Sequence, residues 1–194
     1  MNEKQLITLI SLTKSLHQQK YPLFIIILLI AASLLGSEEW LKGLLSKPSD
    51  ECEVTKVYDG DTLTLQCPNQ SELTKVRMYC IDTPEIKQTP WGIQARDHLR
   101  SIIGKTVQVK AIEKDRYGRI VGEVYNGNVN LNLAQVKAGK AAVYRNYCKK
   151  SEYELAEKQA QAAKSGIWSQ PGLQQTPWEW RKQQKNIRNG SLVK

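Results

Sequence analysis

The chain has 194 residues with 28 lysines and arginines against 19 acids, a net charge of +9, two histidines and four cysteines. That length allows one ordinary domain plus attachments, and a chain this basic points to a polyanionic partner, either nucleic acid or an anionic membrane surface. With no C-x-x-C pair and only His98 beyond the N-terminal segment, the composition argues against a zinc site.

Residues 1–20 are polar and carry Lys4, Lys14 and Lys20, and the run YPLFIIILLIAASLLGS from Tyr21 to Ser37 is apolar and uncharged over seventeen residues. A membrane span usually takes about 20. The long polar lead and the lack of an A-x-A site favour an uncleaved transmembrane anchor over a secretory signal sequence that would be cut near Gly36-Ser37. Lysines ahead of the span keep the N-terminus in the cytoplasm and place the bulk of the chain outside it, periplasmic or extracellular. The membrane is thus an expected partner, through residues 21–37, and nothing in the sequence points to a protein partner. Residues 38–51 read as a linker.

From Cys52 the pattern turns to β. Strands are predicted over about 52–58, 61–67 and 73–81, with Pro84 ending the third. A helix follows over about 91–103, then strands over about 106–112 and 119–125 before an Asn126-Gly127 turn. A second helix is expected over about 131–138, with Asn130 as its N-cap and Gly139 past its end. The third opens at SEYE, where Ser151 and Glu154 suggest a capping box, and closes at Gly166. The basic tail, 170–194, carries five basic residues and one acid over 178–194; it lacks apolar periodicity and is expected to fray. The fold class is α+β, a five-stranded barrel like the oligonucleotide-binding (OB) fold with about three helices, a fold that commonly holds nucleic acid on its face.

The first two strands meet at Asp59-Gly60, a pair that accepts the positive φ angles of a two-residue hairpin loop. With those two residues as the loop, Cys52 falls opposite Cys67, near enough to bridge. Cys80 and Cys148 remain as a possible second disulfide or as two buried thiols.

Asp61 then begins an apolar, β-branched strand. Alternation puts it on the face of Leu63 and Leu65, the barrel interior, where a carboxylate needs a cation or an arginine to offset its charge. Arg77, Asp82 and Glu85 lie within VRMYCIDTPE (76–85). Strict alternation sets Arg77 and Asp82 on opposite faces, so their convergence requires a bulge or an early strand end near Cys80-Ile81. Three converging carboxylates with no His or Cys would suit Ca2+ or Mg2+ rather than zinc. Arg116 and Arg119 flank Tyr117 in DRYGR (115–119), a pattern suited to phosphate, since guanidinium binds phosphate oxygens in bidentate fashion.

In this order and spacing, DGDT (59–62), VRMYCIDTPE and DRYGR resemble the staphylococcal nuclease (thermonuclease) family, and NLNLAQVKAGKAAVY (130–144) and KSGIWS (164–169) resemble its second helix and the end of its third. The likeness covers about residues 52–169, which read as the nuclease-like domain. It implies calcium ligands at Asp61, Asp82 and the backbone carbonyl of Thr83, with Glu85 nearby through water. It implies catalytic residues at Arg77, Glu85 and Arg119. Arg116 and Tyr117 match the holders of a nucleotide's terminal phosphate, and Tyr147 matches an aromatic position of the nucleotide pocket. Arg145 stands where the family has another tyrosine, and the loop IKQTPWG (86–92) is shorter than the family's flexible loop. The activity implied is that of a Ca2+-dependent endonuclease, indifferent to the sugar, that cleaves the 5′-O–P bond of DNA or RNA and leaves 3′-phosphates. The rival expectations are a non-catalytic nucleic-acid-binding module of the same fold and an envelope protein that binds anionic polymers.

Overall fold

The computed structural model describes residues 51–191, and the predicted N-terminal segment and apolar span lie outside them. Among the described residues no helix is long and apolar enough to cross a membrane. Strands β1 (Glu51–Val57), β2 (Thr62–Gln66) and β3 (Thr74–Met78) form an antiparallel meander, and β5 (Thr106–Lys114) and β6 (Ile120–Asn126) add a hairpin. β1 pairs with β5, and β3 pairs in parallel with β6. These contacts close five strands into a barrel, which removes the exposed edges of an open sheet. Two short strands, β4 (Ile81–Asp82) and β8 (Ala142–Val143), pair beside it, and β7 (Val129–Asn130) extends β6.

Alternation does the folding. Leu63 and Leu65 of β2 and Val76 and Met78 of β3 are at most 1% exposed, while Thr62, Thr64 and Arg77 between them are only partly covered. Helices α1 (Trp91–Ile102), α2 (Leu131–Lys137) and α3 (Ser151–Ala162) cover the barrel with Leu99, Leu131, Val136 and Tyr153, all fully buried. The Asn130 side chain caps α2 by accepting from the Leu133 amide.

Three local expectations are corrected. The β1–β2 loop is not the two-residue kind. The Tyr58 amide donates to the Thr62 carbonyl, leaving Asp59, Gly60 and Asp61 in the loop, and a β-bulge at Thr55 restores the register, so that Glu53 faces Gln66. Cys52 and Cys67 therefore still meet, as a disulfide. Gly60 is absent from the residues with positive φ. Its lack of a side chain matters because a Cβ there would stand 2.7 Å from that of Ala95 and 2.8 Å from Thr83 Cγ2.

The capping box is also missing, for Lys150 occupies the N-cap of α3 and no side chain caps it. Lys150 Nζ and the Tyr153 hydroxyl both bind Glu123, and these two contacts set where the helix begins. The third correction is the tail. Pro177–Ser191 forms a fourth helix, α4, where a frayed segment was expected.

Candidate active site

The convergence that alternation forbids is produced at Cys80. β3 stops at Met78, whose amide donates to the Asp61 carbonyl, and Cys80 adopts φ +69°. A left-handed conformation costs a non-glycine residue about 1–2 kcal/mol. Here it is held by the Cys80–Cys148 disulfide and by the Tyr144 amide donating to the Cys80 carbonyl. The chain turns over, and Asp82 in β4 comes to the side of Arg77.

What results is a row of alternating charges. Arg77 Nη1 pairs with Asp61 Oδ2, and Arg77 Nη2 donates to Asp82 Oδ1 at 2.9 Å. Arg181 of α4 forks onto Asp82, with Nη2 2.6 Å from Oδ2 and Nη1 3.1 Å from Oδ1. The same Nη1 lies 2.8 Å from Glu85 Oε1. The order is Asp61, Arg77, Asp82, Arg181, Glu85. Asp61 and Asp82 are 5% and 1% exposed, so each needs its partners.

Asp61 Oδ2 also accepts from the Thr83 amide at 2.9 Å and the Thr83 hydroxyl at 3.0 Å. Burial pushes its carboxyl up, but Arg77 and the Thr83 donors outweigh that and hold it below the usual aspartate range. The Asp59 carboxyl, which accepts from the Asp61 amide, is pushed up to about 7 by burial and by the Asp61 charge. Burial dominates at Asp82 and raises it, against the pull of Arg181. Both arginines are held charged: burial disfavours the cation, and the acids beside each more than compensate.

Glu85 is placed by backbone. Its amide donates to Gln88 Oε1, its carbonyl accepts from the Gln88 amide, and the start of α1 lies so close that a Cβ on Gly92 would stand 2.0 Å from that carbonyl.

Arg77, Arg116, Tyr117, Arg119, Tyr147 and Arg181 share one cleft of about 530 Å³. Arg119 is aimed by Asp115, which accepts its Nε at 2.8 Å and its amide at 3.0 Å. Arg116 and Arg119 lie over the Tyr117 ring, 4.9 and 5.7 Å from its centroid. Tyr147 stacks on Tyr144 at 5.3 Å, and Tyr144 meets Trp178 of α4 at 5.5 Å. Arg145 is turned away to an ion pair with the buried Glu157, so it takes no part in the cleft.

The expected cluster of three acids forms only in part. Among the described residues no three acidic, cysteine or histidine side chains converge on one point to hold an ion. Asp61 and Asp82 meet at Arg77, whereas Glu85 is linked to Asp82 through Arg181. The donor set still fits a hard divalent cation in chemistry, being carboxylate oxygen without nitrogen or sulfur. Two buried acids with waters and a carbonyl would be its ligands.

Sequence reasoning missed Tyr144, Trp178 and Arg181. The last two had a signal: Thr176-Pro177-Trp178-Glu179 combines a T-x-x-E start with proline at the first helical position.

Comparison with known proteins agrees with this geometry. The sequence model of the family described as "Staphylococcal nuclease homologue" matches residues 75–170. A micrococcal nuclease of Shigella flexneri is 37% identical over 149 residues, covering 71% of this chain and 83% of the relative. An uncharacterized endonuclease of Haemophilus influenzae is 36% identical over 141 residues, 72% of this chain and 78% of its own length. A probable staphylococcal-like nuclease of Oryza sativa subsp. japonica is 35% identical over 119 residues, and the chain spans only 31% of that longer protein. The chain belongs to the staphylococcal nuclease family.

Proposed function

We propose that this chain is a Ca2+-dependent phosphodiesterase that hydrolyses DNA or RNA at the 5′-O–P bond and leaves 3′-phosphates. The observation that carries the reading is Arg77, fixed between two buried aspartates at a cleft that also presents Arg119, Arg116 and Tyr117. Calcium held by Asp61, Asp82 and the Thr83 carbonyl would polarise the phosphodiester and lower the pKa of bound water.

The chain's own residues do the rest. Arg77 and Arg119 are pre-oriented by Asp61, Asp82 and Asp115, so they meet the charge that grows on the phosphoryl oxygens without reorganising. Glu85 is the candidate general base, its carboxylate orienting the attacking water or taking its proton. Arg116 and Tyr117 hold a neighbouring phosphate, and the exposed Tyr147 ring offers a surface on which a base can stack. A binding-only reading has one observation in its favour, the Arg181 guanidinium lying on the candidate base.

Digestion of DNA and of RNA, with Ca2+ and with chelator, decides between them when the product ends are analysed. Calcium-dependent cleavage to 3′-phosphates is expected. Tight binding of nucleic acid with no cleavage in Ca2+ would leave the binding module instead. All four cysteines are paired, which supports placing this domain outside the cytoplasm, anchored through 21–37 or released by cleavage there.

A further inference from the structure

We propose that α4 is a tethered gate over the catalytic acids, with Arg181 the resident cation that a divalent ion must displace. The proposal rests on the nuclease reading for the identity of those acids. Its geometry is independent of that reading, and α4 lies beyond the residues matched by the family.

Arg181 uses both oxygens of Asp82, and Asp82 Oδ1 is already shared with Arg77. An ion bound at Asp82 must therefore take an oxygen that Arg181 occupies, beside a like charge. Charge counting points the same way. Asp61, Asp82 and Glu85 against Arg77 leave −2, the charge that a divalent cation neutralises; with Arg181 included the row carries only −1.

The contact is also built to open. The Arg181 side chain is 42% exposed, so it regains water on leaving, whereas Arg77 is largely enclosed at 18%. The start of α4 is anchored by the buried Pro177 and by Trp178 against Tyr144, and just ahead of it Gln88 Nε2 donates to the Leu173 carbonyl at 3.1 Å. Arg181 lies one turn beyond that anchor, so its side chain can swing off Asp82 while the start of the helix keeps its seat. Gln88 also holds the Glu85 amide, which couples the anchor of the gate to the backbone of the candidate base.

A gate that is closed about nine-tenths of the time weakens the apparent affinity of its competitor about tenfold. The test is calorimetric titration of Ca2+ into the full-length chain and into Arg181→Ala, with thermal melts to verify folding. Arg181→Ala is expected to bind Ca2+ about tenfold more tightly, and Arg181→Lys to return affinity toward the parent. Trp178→Ala, which loosens α4 without touching an acid, should tighten Ca2+ by a smaller factor. Equal or weaker Ca2+ affinity in Arg181→Ala overturns the gate, and it leaves the nuclease reading standing if the parent still digests DNA in Ca2+. No Ca2+ binding by any of these proteins, with no digestion, removes both.

Discussion

Two buried carboxylate networks in this barrel answer the same electrostatic problem in opposite ways. Glu123 of β6 is fully buried. Its Oε1 accepts from the Tyr153 hydroxyl at 2.8 Å and Asn130 Nδ2 at 3.2 Å; Oε2 accepts from Lys150 Nζ at 2.7 Å and the Tyr125 hydroxyl at 3.1 Å. One charge meets one counter-charge, and neutral donors fill the remaining lone pairs. The row from Asp61 to Glu85 instead balances acids with arginines and presents Arg77 and Arg181 to the cleft. Neutral donors have no reason to trade places with a charged ligand. Guanidinium groups do, since a phosphate or a metal ion can take either side of each pair. The first network fixes the fold, and the second, on the proposed function, holds charges ready for exchange.

Removing Arg77 tests that contrast most severely. Arg77→Ala leaves Asp61 and Asp82 buried and short of a partner, a defect that costs about 3–5 kcal/mol for a broken buried pair. On the proposed mechanism it also removes a transition-state donor, with an expected loss of about 10²-fold or more in turnover. Arg119→Ala should lose turnover to a similar degree but destabilise by less than about 1 kcal/mol, because its pair with Asp115 is partly exposed, at 28% and 19%. Urea melts and digestion rates on both variants separate the two roles. Near-normal turnover from both would remove the clamp.

Glu123→Gln probes the other network through pH. Burial pushes the Glu123 carboxyl up, but Lys150, Tyr153 and Tyr125 outweigh it and hold the group below the ordinary value of 4.5. A depressed carboxyl contributes stability that is fully present above its unfolded pKa and is lost as pH falls through the folded one. The substitution should cost about 1–3 kcal/mol at pH 7. The gap between parent and variant should close below pH 4.5, as the parent loses its advantage. A gap independent of pH between 7 and 3 would mean that the carboxylate charge contributes nothing.

The two networks also differ in how far they could be read in advance. The barrel was legible because its strands alternate cleanly: Leu63, Leu65, Val76 and Met78 announce an interior face. Cys52 and Cys67 pair as the hairpin spacing predicts even though Asp61 joins the loop, since the bulge at Thr55 offsets the extra residue. The meeting of Arg77 with Asp82 was legible only as a need. It depends on positive φ at Cys80, and cysteine carries no local sign of that conformation; a disulfide partner 68 residues away in the chain enforces it. Arg181 was hidden by its company, because five basic residues beside one acid look like a solvated tail. The T-x-x-E start at Thr176 marks where α4 begins, but where the helix sits is tertiary, set by the seat that Tyr144 offers Trp178 and the two acids that receive Arg181.

Ser151 gives the smallest and most local of these tests. SEYE has the sequence of a capping box, yet the chain places Ser151 one residue inside the helix and leaves the N-cap to Lys150. A true serine N-cap is worth about 1 kcal/mol against alanine. In this fold the first turn of α3 is held from its buried side, where Tyr153 and Lys150 bind Glu123, and shifting Ser151 to the cap would pull both from that carboxylate. Ser151→Ala should therefore cost less than about 0.5 kcal/mol in a urea melt, within the range of an ordinary surface substitution. Glu154 keeps a modest favourable interaction with the helix N-terminus whether or not a box forms, so its removal is uninformative. A loss of about 1 kcal/mol or more in Ser151→Ala would show that the helix starts where its sequence says, and that the Glu123 network yields to the cap.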